Sequence, residues 1–302
     1  MRALPTSLAQ KLDAGVTTLA LAWRLTRGDG LVVAVTQHDR DLVSLGTRFV
    51  AATGFLVSDQ EAVAALGADR TALSSALSID AITEDDLKLG RWDGAKIEAF
   101  WIDWSNPADA IPIWQGEVSG ANWQGQMFEL DVTGPQARLN RDIGAVYART
   151  CAASLGDTRC KVDMNAQGRT LVLPLLAPDA TNSAAGRSLY VGAPAGSSIT
   201  DFQGGRIELR TGVAKGWRSD VRAISALTRN GAAQWRLDLA RPLPVLPATG
   251  DVIALMMGCD KHFATCRTRF ANGLNFRGQP TLPGDDVAFG GPALAGNDGG
   301  RR

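Results

Sequence analysis

Met256-Met257-Gly258-Cys259-Asp260-Lys261-His262-Phe263-Ala264-Thr265-Cys266-Arg267 is the stretch from which the rest of the chain can be read. It holds two of the protein's four cysteines, and the other two, Cys151 and Cys160, follow Tyr147-Ala148-Arg149-Thr150. Eight residues (152–159) separate the first pair, six (260–265) the second, and 98 (161–258) lie between the pairs. Four thiols in two tight pairs suit a tetrahedral sulfur site, which means zinc or an iron–sulfur cluster. Two disulfides are the competing reading. Neither gap is the two-residue spacing of a zinc ribbon, so spacing leaves the metal open. A single centre makes one demand on the fold: the segment between the pairs must bring its own two ends together.

That segment reads as β-structure. Short apolar or alternating runs occur at Leu171-Val172-Leu173, Leu189-Tyr190-Val191, Arg206-Ile207-Glu208-Leu209, Val221 to Leu227, Trp235 to Leu239 and Val252-Ile253-Ala254-Leu255. Gly204-Gly205, Asn230-Gly231 and the prolines between Pro242 and Pro247 separate them. Short strands at this spacing predict a barrel or sandwich.

Upstream, residues 7 to 13 predict a short helix with Ser7 as N-cap. Leu19, Leu21, Trp23 and Leu25 alternate, and after Gly28-Asp29-Gly30 so do Leu31, Val33 and Val35, which predicts a hairpin. Arg27-Gly28-Asp29 is also an adhesion tripeptide, a reading that a hairpin turn disfavours. Thr83-Glu84-Asp85-Asp86-Leu87 predicts a capped helical turn. Alternation returns over Lys96–Trp104 and at Phe128, Leu130 and Val132. The aromatics Trp92, Phe100, Trp101, Trp104, Trp114 and Trp123 read as sheet core and subunit interface rather than as a sugar platform. His38-Asp39 could begin a metal-hydrolase site. The only other histidine is His262, so a loop whose side chains bond nearby backbone is the better reading.

The fold class is therefore mainly β, with two β-rich domains, barrel- or sandwich-like, and few short helices. The expected divisions are 1–140, 141–284 with the four cysteines, and a flexible tail over 285–302. Hydrophobic content of 45% and charge of 21% describe a core-forming chain. Lys plus Arg equals Asp plus Glu at 31 each, which argues against nucleic-acid binding through bulk electrostatics and leaves room for a local basic patch. There is no secretory h-region and no apolar run long enough to span a membrane. A chain kept in the cytoplasm rarely retains disulfides, which tilts paired cysteines towards metal.

Gly258-Cys259-Asp260-Lys261, Cys266-Arg267, Phe270-Ala271-Asn272 and Asn275-Phe276-Arg277-Gly278-Gln279-Pro280 closing on Pro283-Gly284 resemble the C-terminal signature of a family. It is the phage-type tail tip (baseplate hub) proteins of lambda-like siphophages and of alphaproteobacterial gene transfer agents. Arg27-Gly28-Asp29-Gly30 with Thr36 to Leu42 resembles the family's opening signature, and the likeness spans roughly residues 15 to 285. The resemblance implies a structural, non-catalytic hub. Cys151, Cys160, Cys259 and Cys266 would hold an iron–sulfur cluster, [4Fe–4S] by preference, with zinc as runner-up. It further implies a homotrimeric ring and three tail partners: the distal tail protein ring, the central fibre and a peptidase-type tail protein. DNA would be passing cargo in an exit channel. The protein would be made in the bacterial cytoplasm and built into the tail of a phage-like particle. The rival class is a tail-borne cell-wall hydrolase, for which His262 with Cys266 is the one pairing close in sequence. An iron–sulfur electron carrier ranks last.

Overall fold

The computed structural model describes residues 6–13, 15, 17–51, 56–57, 70–76, 82–124, 127–139, 144, 147–177 and 186–282. The chain divides into two compact units, Met1–Ile143 and Gly144–Arg302. The residues read as a flexible tail, 285–302, lie outside the described set.

The first unit opens with helix α1 (Thr6–Asp13), and then the hairpin of β1 (Leu19–Thr26) and β2 (Val32–Thr36), in register from Thr26↔Val32 to Ala22↔Thr36. Its turn is held by main-chain bonds from Arg27 to Leu31 and from Gly30 to Arg27, each 2.9 Å. There follow β3 (Leu42–Ser44), β4 (Thr47–Ala51), β5 (Leu56–Val57), β6 (Arg70–Ala76) and the single-turn helix α2 (Glu84–Lys88). The long strands β7 (Lys96–Asp103), β8 (Ala110–Gln124) and β9 (Met127–Thr133) complete it. Among the described residues these strands form one sheet, in the order β3-β4-β2-β1-β7-β8-β9-β6-β5.

Both faces of that sheet carry core because successive side chains point to opposite sides. Trp23 and Leu25 join Val33, Ile97, Phe128, Leu130 and Trp92 on one face. Ala20 and Ala22 join Phe49, Phe100 and Ile102 on the other. The aromatics divide accordingly: Trp92 and Phe100 are buried, whereas Trp101, Trp104 and Trp123 are exposed. Thr83 caps α2 by accepting from the Asp86 N–H, as the sequence predicts. The Arg27-Gly28-Asp29 turn is an internal clamp. The Arg27 guanidinium bonds Asp29 (2.6 Å) and Asp86 (3.0 Å) and lies over the Trp92 ring.

The second unit contains β10 (Thr170–Pro174), β11 (Ser188–Gly192), the short helix α3 (Ile199–Phe202), β12 (Arg206–Leu209), β13 (Arg218–Arg229), β14 (Ala232–Leu239) and β15 (Val252–Met256). Each strand run read from the sequence falls in one of them. The sheet order is β10-β15-β12-β13-β14-β11, with antiparallel neighbours throughout. Its two outer strands meet through the bridge Leu175↔Val191 and a 2.8 Å bond from the Leu176 N–H to the Tyr190 carbonyl, so the sheet closes into a barrel. Ile207, Leu209, Leu237, Ile253 and Leu255 are fully buried, and Phe202 packs against Trp235 with ring centroids 5.9 Å apart. A closed barrel leaves no unpaired edge.

Candidate metal centre

The barrel settles how its ends meet. Its first strand, β10, pairs with its last, β15, and Thr170 stands opposite Met256. The chain that enters the barrel from Cys160 and the chain that leaves it towards Cys259 therefore start from neighbouring points. The exit is tightly made. The Met257 N–H bonds the Arg169 carbonyl and the Gly258 N–H the Asp201 carbonyl, both at 2.9 Å. A Cβ on Gly258 would stand 1.8 Å from the Gln203 carbonyl oxygen, so only glycine fits where this crossing delivers Cys259.

Cys259 then opens a turn in which the Asp260 carboxylate accepts from the His262 N–H (2.9 Å) and the Thr265 hydroxyl (2.6 Å). Against the upward push of its burial, these donors hold Asp260 below the ordinary carboxylate range. They organise the start of helix α4 (Phe263–Thr268), on which Cys266 is buried. Asp157 does the same for the first pair. Its carboxylate accepts from the N–H groups of Cys160 (2.6 Å), Ser154 (2.9 Å) and Arg159 (2.9 Å), and is held low by them.

The two cysteine segments are stitched to each other and to the chain that follows. The Cys151 N–H bonds the Lys261 carbonyl (2.9 Å), the Ala152 N–H the Arg277 carbonyl (3.0 Å), and the Gln279 N–H the Ala148 carbonyl (2.8 Å). Gly278 sits where a Cβ would meet the Thr150 carbonyl oxygen at 2.5 Å. Asn272 spans the site. Its side-chain amide donates to the Cys160 carbonyl (2.5 Å) and approaches the Cys160 sulfur (3.7 Å), while its main-chain carbonyl accepts from the Cys266 thiol (3.4 Å). The Arg277 N–H points at the Cys151 sulfur from 3.4 Å. Lys161 and Lys261, just after a cysteine of each pair, both adopt left-handed backbone (φ 60° and 65°), which turns the chain sharply around the sulfurs.

The result is one pocket lined by Cys151, Cys160, Cys259 and Cys266, with Ala153, Leu155, Val162, Phe270 and Phe276 as its apolar wall and Lys261 and His262 at its margin. No disulfide joins any of the four cysteines, so the competing disulfide reading finds no support in the fold. Burial pushes the Cys266 thiol up, and the sulfurs of Cys151, Cys160 and Cys259 add to the effect. Among the described residues no three His, Cys, Asp or Glu side chains are drawn together into the set a single metal ion would need.

The basic residues beside the cysteines are mostly engaged with main-chain carbonyls and a carboxylate. Arg149 bonds the Leu282 carbonyl (2.7 Å), Arg159 the Ala152 carbonyl (3.0 Å), Arg269 pairs with Asp201 (3.5 Å), and the Lys261 ammonium donates to the Ala153 carbonyl. They fix the loops rather than face the sulfurs. The raised Cys266 thiol, bonded to Asn272, is the reverse of an activated nucleophile. His38 lies in the other unit, with Nδ1 accepting the Arg40 N–H at 3.1 Å, as the loop reading expects. Asp157 was missed by the sequence reading. Only its position, three residues before Cys160, could have marked it.

Comparison with known proteins gives the chain's family. Residues 5–163 match the family described as baseplate hub protein, N-terminal attachment domain, and residues 200–286 match a conserved phage family, hypothetical protein BR0599. Each matched segment carries one cysteine pair. A chain of the virion of a native gene transfer agent particle is 35% identical, with a TM-score of 0.81, over 98% of this chain and 99% of that one. The chain belongs to the baseplate hub protein family. No curated protein matches the hub sequence. Among its described residues no helix is long and apolar enough to cross a membrane.

Proposed function

We propose that this hub protein is a structural subunit of the tail of a gene-transfer-agent-like particle, and that its four thiolates hold a [4Fe–4S] cluster that fastens the second unit. The observation that carries the tail assignment is the end-to-end likeness to a chain of a gene transfer agent virion, at an identity high enough to speak for role as well as fold. In such a tail the hub would join the distal tail protein ring to the central fibre, beside a peptidase-type tail protein. It would act as a homotrimer around the channel through which DNA leaves.

The eight- and six-residue gaps, too long for a zinc knuckle, together with the family likeness favour the cluster over zinc. The four cysteines share one pocket, as thiolates around one iron–sulfur core must. The apolar wall and the N–H groups aimed at Cys151 and Cys160 suit such a core, since buried, hydrogen-bonded sulfur stabilises its charge. The chain's own contribution is to position and shield. Asp157 and Asp260 fix the two loops, Asn272 ties them together, and Phe270 and Phe276 exclude water. The cluster would lock segments about a hundred residues apart against the stress of assembly and delivery.

A gold-labelled antibody against the first unit tests the tail assignment on purified particles. Label at the free end of the tail is expected. Label confined to the head, or protein found only free in the lysate, would overturn it.

A further inference from the structure

The zero net charge of the chain conceals a division. Residues 1–143 hold 12 Lys and Arg against 19 Asp and Glu, whereas residues 144–302 hold 19 against 12, so the balance runs from −7 to +7. Sixteen of the 19 cations in the second unit are arginine. Arginine presents a planar fork that matches phosphate oxygens two at a time, which lysine cannot do.

Part of this charge is gathered on the barrel's outer wall. Along β12 and the residue after it, Ile207 and Leu209 point inward, which turns Arg206, Glu208 and Arg210 outward. On β13 the outward positions before its bulge are Arg218 and Asp220, and Arg222, at the bulge, is also exposed. The register sets Glu208 opposite Arg218 and Arg206 opposite Asp220, so these side chains form one patch. Glu208 is shared by Arg210 (3.5 Å) and Arg218 (3.3 Å), contacts too long to hold either guanidinium firmly. Arg241 is anchored by a 2.8 Å bond to the Arg218 carbonyl and lies over the Trp217 ring, 5.9 Å from its centroid. With Lys215 in the connecting loop, six exposed cations stand over two carboxylates.

We propose that this wall of β12 and β13 is a contact surface for the phosphate backbone of nucleic acid, read by charge and not by sequence. The choice of nucleic acid over other polyanions rests on the hub reading proposed above, in which DNA leaves through the channel the hub surrounds. The patch carries about four positive charges in excess, which corresponds to a salt slope of roughly −3 to −4 in log affinity against log salt. Affinity should then fall roughly 100-fold between about 50 and about 200 mM salt.

The test is fluorescence anisotropy of a short labelled DNA duplex with the full chain, at several salt concentrations and with heparin as competitor. The wild type is expected to bind with that slope and to be displaced by heparin. Arg222→Gln touches an exposed side chain with no ion pair among the described residues, and should lower the slope by about one with folding intact. Joint replacement of Arg206, Arg218 and Arg241 by Gln should lower it by about three, with circular dichroism reporting the fold. Arg48→Gln, in an exposed pair with Asp41 of the first unit, should change nothing. Absence of binding at low salt, or a slope that Arg222→Gln leaves untouched, would overturn the proposal. So would salt-sensitive self-association without DNA binding, because the wall would then belong to a second copy of the chain. A protein that labels at the tail tip yet ignores DNA refutes this inference and leaves the hub reading standing.

Discussion

Replacing Asn272 tests whether the two cysteine pairs form one site. Its side-chain amide donates to the Cys160 carbonyl at 2.5 Å and accepts from the Asn275 amide at 2.7 Å, and its main-chain carbonyl accepts from the Cys266 thiol at 3.4 Å. Asn272→Ala removes both side-chain bonds, each worth about 1 kcal/mol, and leaves the Cys160 carbonyl short of a partner at a further cost of about 1–2 kcal/mol. The expected loss is about 3 kcal/mol. In a unit of this size that lowers the melting temperature by roughly 6–12 °C. Asn272→Asp keeps the shape but turns a donor towards Cys160 into a carboxylate beside four thiolates. It should therefore lose bound iron more completely than Asn272→Ala at neutral pH. Iron and acid-labile sulfide per chain, together with thermal unfolding followed by circular dichroism, measure both effects. If Asn272→Ala melts with the wild type and retains its iron, Asn272 does not join the pairs and the site has been put together wrongly.

Three further changes have outcomes that follow from the same geometry. Gly258→Ala drives a Cβ onto the Gln203 carbonyl, so it should cost about 3 kcal/mol in thermal unfolding and lower the iron content with it. Asp157→Asn weakens three main-chain bonds that hold the loop of Cys160. Iron per chain should fall by half or more while the barrel's circular dichroism persists. In the first unit, Asp103 is fully buried and accepts from Lys11, Thr18 (2.7 Å) and the Ser105 hydroxyl and N–H (2.7 and 2.9 Å). Against the push of burial these donors hold its carboxyl well below the usual range. A carboxyl whose folded pKa is depressed stabilises the fold above its unfolded value, near 4, and that stability drains away as pH falls towards the folded value. Asp103→Asn should cost about 2 kcal/mol at neutral pH and reduce the wild type's loss of stability below about pH 4, as seen in melting curves across pH.

Much of the fold could be read from the chain because its signals are local. Apolar alternation marks β1 and β2, and the short runs of the second unit mark strands wherever glycine or proline closes them off. What alternation could not supply was which strands neighbour one another. The pairing of β10 with β15 is a contact between residues 78 to 86 positions apart, and it is what lets four cysteines share a pocket. The motif Gly258-Cys259 pointed to the site, but the reason for that glycine, the close passage of the Gln203 carbonyl, is a tertiary fact. The roles of the nearby basic residues were out of reach for the same reason. Arg149, Arg159 and Lys261 lie beside cysteines in sequence, while their side chains reach main-chain carbonyls that only the folded loops bring near. Zero net charge hid the opposed balance of the two units, because a sum over the chain erases where the charges sit.

The most direct measurement of the central claim is iron and acid-labile sulfide per chain in protein purified without oxygen, for the wild type and for each of Cys151→Ala, Cys160→Ala, Cys259→Ala and Cys266→Ala. The account predicts a brown wild type with near-equal iron and sulfide, and loss of both in every single variant because all four sulfurs hold one centre. A colourless protein with one zinc, or iron that survives the loss of any one of these cysteines, would contradict it.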